Sequence, residues 1–148
     1  MRVSAKARYA LAALVTMAQQ CHTGEYITVI SISEKLGISK IYLEQVFSLL
    51  KRGEIVTSIK GAQGGYQLTR SPGQITVYDV LSAIETSLFE KAVDTVSQTE
   101  PAIDSALHSV VFDTLDAAIK DTLEKITLDD ILNEAERQKK DQALMFYI

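Results

Sequence analysis

Apolar residues along this chain follow two different periods, and each change of period marks an element. Residues 5–20 carry apolar side chains around most of a helical circumference, which predicts a buried first helix broken by Gly24. Residues 26–28 read as a short extended piece. Thr28 is placed to cap a short helix over 29–36, with Ile32 and Leu36 one turn apart, and Gly37 stops it. Ser39 is a favourable N-cap for a helix over 40–52. There Leu43, Val46, Phe47 and Leu50 form one apolar stripe, while Lys40, Glu44, Gln45, Ser48, Lys51 and Arg52 lie off it. Two short helices joined by a tight glycine turn, the second with a polar face, have the form of a helix-turn-helix.

The period then changes to two. Ile55, Thr57 and Ile59 alternate with Val56, Ser58 and Lys60, a turn follows at Gly61-Ala62-Gln63-Gly64-Gly65, and Tyr66-Gln67-Leu68-Thr69 reads as a second strand. A hairpin directly after the second short helix makes the unit a winged helix. Thr76 with Asp79 fits a capping box opening a helix over about 77–86. Residues 87–100 show no clear period and read as a linker. Pro101 suits a helix's first turn. From there Ile103, Leu107, Val110, Val111, Leu115, Ala118, Ile119, Leu123 and Ile126 keep helical spacing over a length of roughly 35 Å. Thr127 with Asp130 gives a second capping box and a last helix to about residue 140, before an apolar tail.

The expected fold class is therefore mostly α: a winged helix-turn-helix domain at 1–86, a linker at 87–100, and a helical dimerisation region at 101–148. A long apolar stripe on so small a body predicts a seam between two copies rather than packing along the chain's own head.

Charge sharpens this division. The whole chain carries −4, but residues 1–75 hold nine Lys/Arg against four acids, and residues 76–148 hold six against fifteen. The basic half suits a polyanion and the acidic half a different task. All seven glycines lie at or before Gly73, so the second half is free to run as long helices.

Composition excludes several classes. One cysteine rules out an internal disulfide, and with only His22 and His108 it leaves little room for a metal centre, so no metal and no cofactor are expected. No apolar run reaches the ~18 residues of a membrane span. No phosphate-cradling loop or nucleophile–base spacing is present, so an enzyme is not expected. Residues 1–21 have the outline of a secretory signal and equally that of a buried helix with a polar start. The winged-helix reading needs them as its first helix and favours a cytoplasmic protein.

Four segments together resemble a known family: MRVSAKARYAL at the start, GISKIYLEQVFSLL, IKGAQGGYQL, and ITVYDVLSAIE. They are similar to the winged-helix repressors that include the iron–sulfur cluster regulator IscR, the nitric-oxide-sensitive NsrR and the cysteine-metabolism repressor CymR. The resemblance runs from Met1 to about Glu85, and the long helix with the closing MFYI resembles the CymR branch. It implies a homodimer with two heads, the YLEQ helix in the major groove of double-stranded DNA and a wing cation in the minor groove. Carried over, Tyr42, Glu44 and Gln45 face the groove, and Lys60 stands where the family usually has arginine. Lysine neutralises a phosphate but lacks the planar guanidinium suited to a narrow minor groove. The family tends to place a glycine one residue after Gly53, so a shifted helix end is expected there. Cluster-binding members carry three cysteines between the helix after the wing and the long helix; residues 87–105 contain none. The chain thus resembles a cluster-free repressor of sulfur and cysteine genes, a branch that acts with a cysteine synthase.

Each candidate residue has a chemistry and a plainer alternative. Gln45 can pair with adenine and Glu44 can accept from cytosine N4, or both can be solvated helix face. Tyr42 either contacts a phosphate or a thymine methyl, or packs under the wing. Lys40, Lys51, Arg52 and Lys60 are phosphate candidates, with Arg2, Lys6 and Arg8 as lesser ones. Gly64 and Gly65, with Gly61, allow a tight wing and close backbone approach. Cys21 is a packed small hydrophobe, or a redox sensor whose thiol His22 activates. His108 reads as a packing or interface residue. A winged helix that binds only protein is the alternative to a DNA reader.

Overall fold

The structure, a computed structural model, describes residues 2–20, 25–59 and 64–147. Cys21, His22, Lys60 and Gly61 lie outside the described residues. Among the described residues, seven α-helices and one two-stranded sheet follow the expected order. Helix α1 (Ala5–Gln20) buries Ala7, Ala10, Ala13, Leu14 and Met17. Its small alanines let neighbouring helices pack closely around it.

Helix α2 (Val29–Leu36) starts at Thr28, whose hydroxyl accepts from the N–H of Ser31, and ends at Gly37. Helix α3 (Lys40–Arg52) starts at Ser39, whose hydroxyl accepts from the N–H of Tyr42. All four stripe residues, Leu43, Val46, Phe47 and Leu50, are buried. Strands β1 (Val56–Ser58) and β2 (Tyr66–Leu68) pair antiparallel with Val56 opposite Leu68. The expected extended piece at 26–28 adds an isolated antiparallel bridge on the other side of β2: Ile27 and Tyr66 exchange two backbone hydrogen bonds of 2.9 and 2.8 Å.

The end of α3 explains the displaced glycine. A Cβ on Gly53 would lie 2.6 Å from the Cβ of Ala83, so only glycine lets α3 approach the next helix there. The left-handed position follows at Glu54, with φ 60°. A glycine one residue later would sit at that strained position.

Helix α4 (Val77–Ile84) opens with the expected capping box between Thr76 and Asp79. Residues 87–100 form turns without a regular element, as the sequence suggested. The long helix beyond them is not uniform. It consists of α5 (Pro101–Leu107), a π-helical turn (His108–Phe112) and α6 (Asp113–Glu124). Ile119 and Leu123 turn onto the chain's own head, where Leu123 is buried with Ala7, Val77 and Leu81. Val110, Val111 and Leu115 point away and are exposed. The apolar stripe thus divides between the head and solvent.

Helix α7 (Leu128–Phe146) opens with the second capping box, at Thr127 and Asp130. It runs past the end expected near residue 140. No glycine or proline interrupts it, and Arg137 bridges Glu134 and Asp141 on its surface. Leu128 and Ile131 join the core of α1 and α3, so packing crosses from the second half into the first. Thr76 and Thr127 form an isolated antiparallel bridge between the starts of α4 and α7. There Val77 N–H donates to Ile126 C=O at 2.8 Å and Leu128 N–H to Ile75 C=O at 3.0 Å. Among the described residues, no helix is long and apolar enough to cross a membrane.

Candidate nucleic-acid interface

The second helix of the helix-turn-helix is anchored on one side and bare on the other. Phe47 holds it to the wing through a ring contact with Tyr66 at 4.7 Å between centroids. The opposite face exposes Lys40, Glu44, Gln45, Ser48, Lys51 and Arg52. A rigid helix with exposed polar groups of this kind can enter a major groove and reach base edges.

Lys40 and Glu44 lie one turn apart, with Nζ 3.6 Å from Oε1, and each side chain remains about half exposed. Both line a cleft between this helix, the start of α2 and the wing residues Gly64 and Gly65. On its other flank, Glu44 joins Gln45, Ser48 and Lys6 around a shallow groove. Lys6 of α1 thereby reaches the recognition face. Lys51 and Arg52 occupy the last turn of α3, where cations favour the helix dipole. Arg2 is exposed ahead of α1.

Gly64 and Gly65 have φ of 60° and 154°, both in the region that favours glycine. A Cβ on Gly65 would also press on Tyr26 at 3.2 Å. These two glycines therefore shape the wing where it meets the cleft. Tyr42 is half-buried and packs edge-on against Tyr9 of α1, ring centroids 5.4 Å apart, rather than under the wing. Arg70 is committed elsewhere, to Asp79 at 3.2 Å.

Ile41 went unnoticed in the sequence. It is 70% exposed on the recognition helix, beside Lys40. Its signal was an isoleucine off the buried stripe, a position that solvent alone would fill with a polar residue. An exposed apolar group there suits a thymine methyl.

The fold and this surface define a winged-helix, DNA-binding transcription regulator. The family model described as Rrf2, iron-dependent transcriptional regulator, matches residues 3–134, and the chain belongs to that family. It is 35% identical over 136 residues to the transcriptional regulator IscR of Pectobacterium carotovorum, covering 92% of this chain and 82% of that one. It is 43% identical over 88 residues to a putative HTH-type transcriptional regulator of Azotobacter vinelandii, a match that spans 60% of this chain and 53% of the relative. Among solved structures it is similar to CymR, the global cysteine regulator of B. subtilis. That likeness has a TM-score of 0.70 at 30% identity, covering 90% of this chain and 98% of that one. The T. potens IscR structure matches with a TM-score of 0.68 at 33% identity, covering 93% and 90%.

The family's description implies iron, and the donors present bear on its form. An iron–sulfur cluster is held mainly by cysteine thiolates. Residues 87–105 contain no cysteine, and among the described residues the groups that converge beside that segment are Asp94, Asp104 and His108. Oxygen and nitrogen donors alone do not fit such a cluster.

Proposed function

We propose that the protein is a cytoplasmic homodimeric repressor that reads a pseudo-palindromic operator. In this reading Gln45 and Glu44 contact base edges, and Tyr42 contributes from the margin of the same helix. Lys40, Lys51, Arg52, Lys60 and Arg2 hold phosphates, and Gly64 and Gly65 let the wing backbone approach the duplex. The observation that carries the reading is the exposure of Glu44 and Gln45 on a helix whose opposite face is locked in the core.

Dimerisation is supported by the outward stripe of Val110, Val111 and Leu115 on the long helix. The division into a head at 1–86, a linker at 87–100 and a dimerisation region at 101–148 is then one of role, since Leu128 and Ile131 pack into the head. The likeness to the cysteine regulator of B. subtilis supports sulfur and cysteine genes as targets, and a cysteine synthase as enzyme partner for the acidic half.

The test is a salt titration of full-length protein against an arbitrary duplex and against a duplex recovered by selection from genomic DNA. A DNA reader loses affinity on both as a power of salt and prefers the selected duplex by about a thousandfold or more. A winged helix that binds only protein shows neither. Sequencing of DNA and identification of proteins co-purified from native extract test the target genes and the synthase.

A further inference from the structure

We infer that Ile41 is a specificity-determining residue that reads the 5-methyl group of one pyrimidine, thymine or 5-methylcytosine, in the major groove. Ile41 thereby adds an apolar contact to the DNA reading proposed above, on which this assignment rests.

Folding gives no reason for an isoleucine at position 41. The side chain is 70% exposed, so it adds little to the core. A β-branched residue also loses rotamer freedom in a helix and forms helix less readily than lysine, glutamine or alanine. The residues that hold α3 to the body are Leu43, Val46, Phe47 and Leu50, all buried without help from Ile41.

The neighbours of Ile41 on the exposed face are polar. Lys40 precedes it, and Glu44, Gln45 and Ser48 follow three, four and seven residues later on the same side of the helix. These three line one shallow groove with Ile41, together with Lys6 from α1 and half-buried Leu49. A protein partner docks on a contiguous apolar patch, and one exposed isoleucine set among hydrogen-bonding groups and cations does not supply it.

A base edge does match this mixture. In the major groove thymine presents a carbonyl acceptor beside its 5-methyl group, adenine an acceptor and a donor, and cytosine a donor. The methyl is the apolar member of that code, and Ile41 is the exposed apolar member of a face otherwise made of donors and acceptors. Ile41 and Gln45 are about 6 Å apart along the helix axis at 1.5 Å per residue. Base pairs stack about 3.4 Å apart, so the two side chains address positions within about two base pairs of each other. The stiff χ1 of isoleucine presents its branched end in few orientations, which keeps the entropy lost on contact small. Ile30 and Ile59 are exposed as well, but they line the cleft on the other flank of α3 and serve as controls.

The test uses full-length protein and the selected operator. Each thymine is replaced in turn by deoxyuridine, which removes only the methyl, and each cytosine by 5-methylcytosine, which adds only that group. Wild type is expected to lose about fourfold in affinity at one thymine of each half-site, or to gain about fourfold at one cytosine, the worth of one buried methyl. Ile41→Ser should bind both forms of that position equally, while Ile41→Val, Ile30→Ser and Ile59→Ser should keep the difference. An apolar contact releases no counterion, so Ile41→Ser should also keep the salt slope and the far-ultraviolet circular dichroism of wild type. The inference is overturned if wild type binds the operator without responding to any methyl, or if Ile41→Ser responds at every position where wild type does. Either result leaves the DNA reading standing. A wild type with neither steep salt dependence nor operator preference would overturn both.

Discussion

Lys40 and Glu44 share one face of the recognition helix, with the lysine nitrogen 3.6 Å from the carboxylate. Lysine stands N-terminal to the acid, the weaker orientation for a helical pair, and both groups are exposed, so the pair adds little to stability. Its importance is to the surface charge. Glu44 offsets a cation that would otherwise be free for a phosphate. Glu44→Gln should therefore strengthen binding to arbitrary duplex and steepen its salt slope by about 0.9. The same change should reduce discrimination at one base pair of the selected operator. A slope equal to wild type would mean that Lys40 does not face the backbone.

Gln45→Ala should cost ~1–3 kcal/mol on the selected operator and much less on arbitrary DNA. Parallel titrations on the two duplexes measure both. Equal losses would remove Gln45 from base readout.

Lys60→Ala should weaken binding to every sequence and flatten the salt slope by about one unit. The readout is the slope of log affinity against log salt, and an unchanged slope would take Lys60 off the phosphate surface.

The junction after α3 makes opposite predictions for neighbouring residues. Gly53→Ala forces a methyl to within 2.6 Å of Ala83 Cβ and should destabilise the fold by about 1–3 kcal/mol. Glu54→Gly relieves a left-handed non-glycine residue at φ 60° and should stabilise it, by up to about 1 kcal/mol once the added freedom of the unfolded chain is counted. Urea melts of the two variants should move in opposite directions.

On α7, hydrogen bonds from Arg137 and then Gln138 lower the pKa of Glu134 from its ordinary 4.5 to about 2. A carboxyl whose folded pKa is depressed adds stability above its unfolded pKa, and loses that contribution as pH falls through the folded one. The contribution of Glu134 should thus be present above about pH 4.5 and fade toward pH 2. Nuclear magnetic resonance titration should find the low value in wild type and a return toward the ordinary one in Arg137→Ala.

Much of this was legible because local rules and tertiary packing agreed. Ser39, Thr76 and Thr127 announced helix starts that the structure places where they were expected, and the stripe from Leu43 to Leu50 is wholly buried. Three features were not legible. The π-helical turn at His108 inserts a residue into a helix whose apolar spacing reads as regular. The packing of Leu123 and Leu128 onto the head depends on where the chain turns at residues 125–127, which periodicity does not specify. Tyr42 meets Tyr9 across 33 residues of sequence, and spacing alone cannot connect them.

The twin threonines at positions 76 and 127 bind the beginnings of two helices to each other, and each is held by its own box. Swivelling α7 about that neck would break two backbone bonds and pull Leu128 from its socket. Head and stalk therefore travel as one lever. In the proposed dimer, any adjustment of the reach between the two heads would then originate at the seam between the copies, and a small roll there would be magnified at the far tips of the wings.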